Sequence, residues 1–307
     1  MDLSLERIES AGDRIPPVFR DTPQFVDERL STELGREVVV KVETLNPIGS
    51  FKGRGTWLLA QGLDLERTWV CSTAGNFGQG LAYAARANGA DVHVFASAGA
   101  PPEKVGRMRA LGARVEISER SEVAAREHAA AAAERILVRD GVDPAIAEGA
   151  GTIGVELEAA GPIDTVVVQI GDGALITGVA RWLKARHPGI QVIGVCASGA
   201  PAMARSFEAG HPLTVAGEGT IAAALAISDP APESLARVRT LVDEIVLVDD
   251  EDLRAAMDLI AETLGLLVEP AGAAGVAALR RHGRRIEGER VAALLTGAGT
   301  GSGSASR

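Results

Sequence analysis

Short apolar segments alternate with longer amphipathic segments along most of the chain. The short segments are rich in Val, Ile and Ala and predict buried strands. They lie at 38–42, 68–72, 92–96, 113–117, 165–170, 191–196, 244–248 and 291–295. Helices are predicted between them, among others at 78–87, 119–134, 175–185, 252–264 and 273–281. This alternation predicts an α/β fold whose sheets are mostly parallel and are flanked by helices.

A polar, glycine-containing segment interrupts this pattern at residues 46–55. Pro47 and Gly49 break the periodicity of the strand before them and of the helix after them, which predicts a turn at a helix N-terminus. Lys52 lies on this turn, although the helix dipole disfavours a cation there by about 0.3–1 kcal/mol. Burial would add to that cost unless the amine is neutral or is used in a Schiff base. The alternative interpretation is a solvated lysine at a helix start.

Two further turns between a strand and a helix carry the features of anion sites. Residues 72–80 contain small residues and two glycines before a predicted helix, whose first amides can hold an anion. Residues 170–178 form a glycine-rich turn whose successive N–H groups can bind a phosphate. The first can also be a plain turn. The second resembles a nucleotide site but lacks the Gly-x-Gly-x-x-Gly pattern.

The composition excludes several classes of protein. The net charge is −10 without a basic cluster, so we expect no nucleic-acid partner and no anionic membrane surface as partner. Neither a signal peptide nor a membrane-spanning apolar run is evident. Cys71 and Cys196 each lie in an apolar strand, which favours a reducing, cytoplasmic location. The five histidines lack metal-ligand spacing, and we expect no metal site. We also expect no sensing domain after residue 299.

Four segments together resemble one known family. They are 41–55, 72–80, 170–178 and 268–275, followed by the strand end at 294–300. They resemble the pyridoxal-phosphate (PLP) enzymes of the tryptophan-synthase β-subunit fold, also called fold type II. Within that fold they are most similar to the serine/threonine dehydratase (ammonia-lyase) branch, with threonine-synthase-like features. The resemblance covers nearly the whole chain.

The resemblance implies a fold with two open, mostly parallel twisted sheets flanked by helices. It implies a large PLP-binding domain made of residues 1–65 and 148–307. A small mobile domain, residues 66–147, would be inserted between them. The enzymes of this family that the chain resembles also lead us to expect a homodimer.

The resemblance also assigns roles to individual residues. Lys52 would form the Schiff base with the cofactor, with Phe51 beside the pyridine ring and Thr296 opposite the ring nitrogen. Asn76 would face the 3′ oxygen of the cofactor. The phosphate would be bound by the backbone of the glycine-rich turn, where Asp172 and Ala174 replace two of the family's glycines. These residues are Gly171, Asp172, Gly173, Ala174 and Leu175. The substrate carboxylate would be bound by Ser72, Thr73, Ala74, Gly75, Asn76 and Phe77.

The function that follows from the resemblance is a PLP-dependent lyase. It would remove water and then ammonia from a β-hydroxy amino acid such as L-serine or L-threonine, giving a 2-oxo acid. Phe77 stands where dehydratases usually carry His and threonine synthases often carry Phe, so a β- or γ-replacement enzyme is an alternative. A non-catalytic PLP-binding protein is another. Ala74 lacks the hydroxyl that serine racemases carry at this position, so we expect elimination to exceed racemisation.

Overall fold

The computed structural model describes residues 1–73, 75–217 and 219–299. The strands are β1 (Gln24–Val26), β2 (Glu37–Val42), β3 (Thr68–Thr73), β4 (Val92–Ser97), β5 (Arg114–Ser118), β6 (Arg135–Leu137), β7 (Thr165–Gln169), β8 (Gln191–Ala197), β9 (Glu244–Val248) and β10 (Arg290–Leu295). The helices are α1 (Leu5–Arg14), α2 (Glu28–Leu34), α3 (Lys52–Ala60), α4 (Asn76–Asn88), α5 (Pro102–Ala110), α6 (Ser121–Ala130), α7 (Pro144–Glu158), α8 (Ala174–Arg186), α9 (Ala202–Ala209), α10 (Pro232–Leu241), α11 (Asp250–Leu264) and α12 (Pro270–His282).

The larger sheet has six strands in the order β1-β2-β10-β7-β8-β9. All of its pairings are parallel except that of the edge strand β1 with β2. Both faces are covered, as parallel sheets require. Val38 and Val40 point into one core with α12, whereas Val39 and its neighbours Ala292 and Leu294 point into the other core with α7 and α8. Successive apolar residues therefore have separate cores to fill.

The smaller sheet has four parallel strands in the order β5-β4-β3-β6 and comes from residues 68–137. Helix α6 covers one face, where Val70 and Phe95 contact Ala125. Helices α4 and α5 cover the other face and belong to the same core as α7 and α8. The two sheets are thus joined by continuous apolar packing on one side.

The α/β fold class and all eight predicted strands are confirmed, with strand ends shifted by one residue at most. The helices agree less closely. Helix α6 ends at Ala130, not at residue 134, α12 begins three residues earlier than expected, and the predicted ranges did not include α5, α7, α9 and α10. Helix α7 shows why. Ten residues of α7 are buried, including three glycines, so it has no continuous polar face and no amphipathic period to detect. The assignment of residues 66–147 to a separate mobile domain remains a proposal.

Candidate active site

A cavity of about 1280 Å³ lies between the two sheets, where parallel strands end. The carboxyl ends of β3 and β6 border it from the smaller sheet, and those of β7 and β10 border it from the larger one. Ligands in open α/β sheets bind in such crevices beyond the carboxyl ends of strands. Three of the turns singled out from the sequence therefore meet at one place.

Lys52 is the first residue of α3 and reaches into this cavity. Its Nζ lies 4.9 Å from the ring centroid of Phe51 and 5.7 Å from that of Phe77. The ammonium forms an ion pair with the Asp140 carboxylate, which follows β6. The side chains of Lys52 and Asp140 are 14% and 11% exposed, so the pair is shielded from water but is still open to the cavity. The predicted turn and helix start at Lys52 are confirmed.

A buried network of charges holds the first turn of α3 in place. The Arg54 guanidinium donates two hydrogen bonds to Glu43, at 2.9 and 2.8 Å, and two to Glu156, at 2.5 and 2.9 Å. Lys41 adds a second cation at 2.5 Å from Glu156. Burial would raise the pKa of Glu156, but Arg54 and Lys41 outweigh it and lower that pKa to about 2. Lys52 thus projects from a backbone anchored two residues further on.

The turn after β3 is organised by the Thr73 hydroxyl. It accepts hydrogen bonds from the amides of Gly75 and Gly78, at 2.9 and 3.4 Å. Ser72 donates to the hydroxyl of Ser121 at 2.8 Å, which ties the turn to the start of α6. The amides of this turn, which were predicted to bind an anion, therefore donate to the Thr73 hydroxyl oxygen in this structure. Ala74 lies outside the described residues.

The turn after β7 has the shape of an anion nest. Gly173 adopts φ 92° immediately before α8, a conformation that favours glycine. A Cβ on Gly171 would overlap the Ala224 carbonyl, and one on Gly173 would overlap the Ser234 hydroxyl. The backbone of Ala174 and Leu175 then opens the helix, whose first amides have no partner within it.

Asp172 is partly buried at the same turn. Burial raises the pKa of its carboxyl to about 7, and the nearby Asp140 carboxylate contributes in the same direction, whereas Lys52 opposes the shift. The carboxyl is therefore largely protonated below neutral pH. A protonated Asp172 no longer repels an anion bound to the nest.

Thr296 directly follows β10 and is held by the side chain of Gln169. The Gln169 amide donates to the carbonyls of Ala271 and Leu294, at 2.9 and 3.2 Å, and lies 2.7 Å from the Thr296 hydroxyl oxygen. An NH₂ group cannot accept a hydrogen bond, so the hydrogen of that hydroxyl is left to be donated elsewhere. Gln169 Oε1 is buried and has no hydrogen-bond partner among the described residues.

A second lysine–carboxylate pair lies near Asn76. The ammonium of Lys104, on α5, pairs with the Glu269 carboxylate just before α12. The other oxygen of Glu269 accepts a hydrogen bond of 2.7 Å from the Asn76 amide. Both side chains of the pair are 12% exposed.

Comparison with known proteins identifies the family. The family model described as "pyridoxal-phosphate dependent enzyme" matches residues 15–297. The chain belongs to this family. It is 34% identical over 298 residues to an L-threonine ammonia-lyase of Geobacter sulfurreducens, covering 94% of this chain and 74% of that protein. It is 38% identical over 304 residues to a phenylserine dehydratase of Ralstonia pickettii, covering 96% and 93%.

A solved structure shows the same fold. The crystal structure of a threonine deaminase from T.th. superimposes with a TM-score of 0.90 at 31% identity, covering 97% of this chain and 98% of that one. The resemblance stated from the sequence is therefore confirmed, including the PLP cofactor and the two-sheet architecture.

The cavity fits the cofactor of this family. The nest at 171–175 can hold a phosphate, because these residues line the cavity and the first amides of α8 have no partner within the helix. Lys52 supplies an amine and Thr296 a hydroxyl to the same cavity. The buried Gln169 oxygen, which has no partner in the part of the chain that the structure describes, offers a further hydrogen-bond acceptor near Thr296. The residues that the sequence assigned to cofactor binding all line the cavity.

Four residues in the site were not assigned a role from the sequence: Asp140, Gln169, Lys104 and Glu269. Each of the first two ends or follows a parallel strand, which is the positional signal that could have marked them. Glu269 lies in a motif that the resemblance already included. Lys104 had no signal, because only the tertiary structure brings α5 next to α12. Among the described residues, no group of three or more His, Cys, Asp or Glu is arranged to hold a metal ion.

Proposed function

We propose that this protein removes water and then ammonia from a β-hydroxy amino acid such as L-serine or L-threonine, giving a 2-oxo acid. The observation that carries the proposal is the position of Lys52, which reaches into a cavity between an amide-rich turn and a phosphate nest. The relatives named L-threonine ammonia-lyase and phenylserine dehydratase support this reaction class.

Each group in the cavity takes one task. The cavity would hold PLP, which would supply an electron sink for negative charge at Cα of the substrate. The freed amine of Lys52 takes the Cα proton as a general base. The amides of Gly75 and Gly78 bind the substrate carboxylate in place of the Thr73 hydroxyl, which turns to donate to the same carboxylate. Thr296 would offer its hydroxyl to the ring nitrogen. Because a neutral hydroxyl does not keep that nitrogen protonated, the electron sink would be weaker, which suits elimination.

The experiment has a chemical and a kinetic part. Borohydride reduction should fix the cofactor on the peptide that contains Lys52, and L-serine or L-threonine alone should yield pyruvate or 2-oxobutyrate steadily. A Lys184→Met variant serves as the control, because Lys184 pairs with Asp243 at 2.7 Å outside the cavity. Labelling at Lys41, Lys104 or Lys184 in place of Lys52 would refute the site.

A replacement reaction is the second candidate, and Phe77 is the observation that favours it. Its ring is buried and faces Lys52, at the position where dehydratases of the family usually carry His. If no oxo acid forms from the amino acid alone, and a replaced product accumulates when a second nucleophile is added, the replacement enzyme is the better description. Chiral chromatography of the same mixtures tests the expectation from Ala74 that D-isomers form slowly.

We further propose a homodimer in a reducing, cytoplasmic compartment. Edge strand β1 exposes Phe25 and Val26, 41% and 43% respectively, and an open apolar edge favours a protein partner. Cys71 and Cys196 are free, and burial raises the pKa of both thiols to about 12, so neither is reactive. No described helix has the length and apolarity needed to cross a bilayer. Sedimentation velocity would test the dimer, and a monomer at micromolar concentration would contradict it.

We also propose that residues 66–147 move as a small domain that closes over the substrate. The cavity lies between the two sheets, so a change in their separation would open or shut it. Small-angle scattering with and without a slow substrate should show a decrease in the radius of gyration. An identical curve in both states would contradict closure.

A further inference from the structure

The Lys104–Glu269 pair joins the two halves of the molecule across the cavity. Lys104 lies on α5, which packs with α4 against the smaller sheet, and Glu269 lies at the start of α12, which packs on the larger one. Arg107, one turn after Lys104, also reaches towards the larger half, where its guanidinium lies near Gly49. Helix α5 therefore extends two basic side chains across the gap to the larger half.

The pair is tightly enclosed by backbone. A Cβ on Gly75 would overlap the Lys104 side chain, and a Cβ on Gly297 would overlap the Glu269 carboxylate. The amide of Glu269 also donates to the Gly297 carbonyl at 3.0 Å. Glycines on both sides thus let the pair form, and close packing leaves it little freedom to rearrange.

The pair determines which way the Asn76 amide points. Asn76 Nδ2 donates to Glu269 at 2.7 Å, and Asn76 Oδ1 accepts from Gln79 Nε2 at 3.2 Å. A carboxylate can only accept hydrogen bonds, so it selects the NH₂ group of Asn76. One N–H remains available to the cavity. An N–H donor suits an anionic oxygen of the cofactor. If the Asn76 amide were flipped, its carbonyl oxygen would face that oxygen and repel it.

We infer that Lys104 is a positioning residue whose ion pair with Glu269 closes the cavity and holds the Asn76 amide as a donor towards the cofactor. This inference rests on the site proposed above. Lys104 acts through Asn76, because the Glu269 carboxylate with which it pairs also accepts the hydrogen bond of the Asn76 amide. Glu269 needs the cation because an unpaired carboxylate at 12% exposure would draw in water or change its protonation.

The test compares four variants of the holoenzyme: Lys104→Met, Lys104→Arg, the double variant Lys104→Met with Glu269→Gln, and Lys184→Met. The readouts are the dissociation constant for PLP and the absorption maximum of the bound cofactor. Lys104→Met should weaken PLP binding about tenfold, the loss that one charge-assisted hydrogen bond predicts, and should shift the absorption maximum. Lys104→Arg should recover most of the affinity because it keeps the charge.

The double variant guards against simple misfolding, because the Glu269→Gln substitution leaves no buried unpaired charge. It should fold with wild-type stability and still bind PLP more weakly than the wild type. The control Lys184→Met removes an ion pair outside the cavity and should change neither readout.

The inference would be overturned if Lys104→Met and the double variant both kept the wild-type PLP dissociation constant and absorption maximum. None of these readouts needs a substrate. If the protein binds PLP at Lys52 but forms no oxo acid, the proposed reaction is refuted. The PLP affinities of the variants would still test the role of Lys104.

Discussion

Two lysine–carboxylate pairs line the same cavity, and they differ in their surroundings. Lys52–Asp140 and Lys104–Glu269 have the same chemistry and similar exposure, between 11% and 14%. Lys52 projects between two aromatic rings into open space. Glu269, in contrast, is held by Asn76 and packed on Gly297.

The difference shows that the neighbours of an ion pair decide what it can do. The Lys52 amine can leave Asp140 without losing any other contact that holds its backbone, because Arg54 anchors α3 independently. The Lys104 amine cannot leave without disturbing Asn76 and the packing of two glycines. The Lys52–Asp140 pair can therefore release a reactive amine, whereas the Lys104–Glu269 pair holds neighbouring groups in position. Four predictions test this contrast.

The largest effect is expected from Lys52→Ala, which removes the reactive amine. Loss of a general base should lower the rate of oxo-acid formation by about 10²–10⁴-fold. Steady-state assays with L-threonine would measure it, and Lys184→Ala is the matched control with an expected wild-type rate. A Lys52→Ala enzyme that keeps the wild-type rate would remove the distinction between the two pairs.

The next largest effect concerns the largely buried charge network below α3, in which Arg54 and Glu43 are fully buried and Glu156 is 14% exposed. Arg54→Leu leaves Glu43 and Glu156 buried without their main partner, which should cost about 3–5 kcal/mol of unfolding free energy. Urea unfolding would measure the loss. The exposed pair Arg126–Glu122 is the control, and Arg126→Leu should cost about 0.3–0.5 kcal/mol. Equal losses in both variants would mean that enclosure does not matter.

A smaller effect is expected from Asp172, which lies in the phosphate nest and whose pKa depends on both members of the Lys52–Asp140 pair. The Asp172 carboxyl, with a pKa raised to about 7, is neutral below that pH and becomes a repelling anion above it. The PLP dissociation constant should therefore rise about tenfold between pH 6 and pH 8. Fluorescence titration of wild type and Asp172→Asn would show it.

The Asp172→Asn variant should lose most of this pH dependence, because asparagine does not ionise. The ionisation of the cofactor phosphate affects both proteins equally, so the difference between them reports on Asp172 alone. Asp140→Asn should move the transition to lower pH, since Asp140 contributes to the raised pKa of Asp172. A slope that is the same in wild type and Asp172→Asn would rule out this role.

The last effect is on folding stability and concerns His93, a buried group whose charged neighbours are mostly basic. Burial, then His128 and Arg114, lower the pKa of His93 to about 4, and Arg135 adds to them while Glu116 opposes. The unfolded state takes up a proton near pH 6.5 and the folded state only near pH 4. Stability should therefore fall as the pH falls through this window.

Thermal unfolding between pH 7 and pH 4 would measure this loss. His93→Gln should reduce the slope between about pH 6.5 and pH 4. It should leave the loss below pH 4.5 that comes from Glu156, whose pKa is lowered to about 2. An unchanged slope above pH 4.5 would show that His93 does not contribute.

Local patterns in the sequence were sufficient for the strands and for the chemical motifs. Buried parallel strands are continuous apolar runs, so their limits are visible to within about one residue, as for β7 at Thr165–Gln169. Glycine and small residues next to a helix start marked the turns at Lys52, Asn76 and 171–175 as local signals. The roles of these residues came from the resemblance to the family, which several segments carry together.

The tertiary structure alone determined the partners of these motifs. Helix α7 is buried on most sides and carries no period, and the identity of its neighbours α3 and α8 cannot be read from its residues. Asp140 and Lys104 carry charges like those of many surface residues, and they acquire a role only because two sheets bring them to one cavity. Side chains meet across the cavity through long-range packing, which no short stretch of sequence encodes.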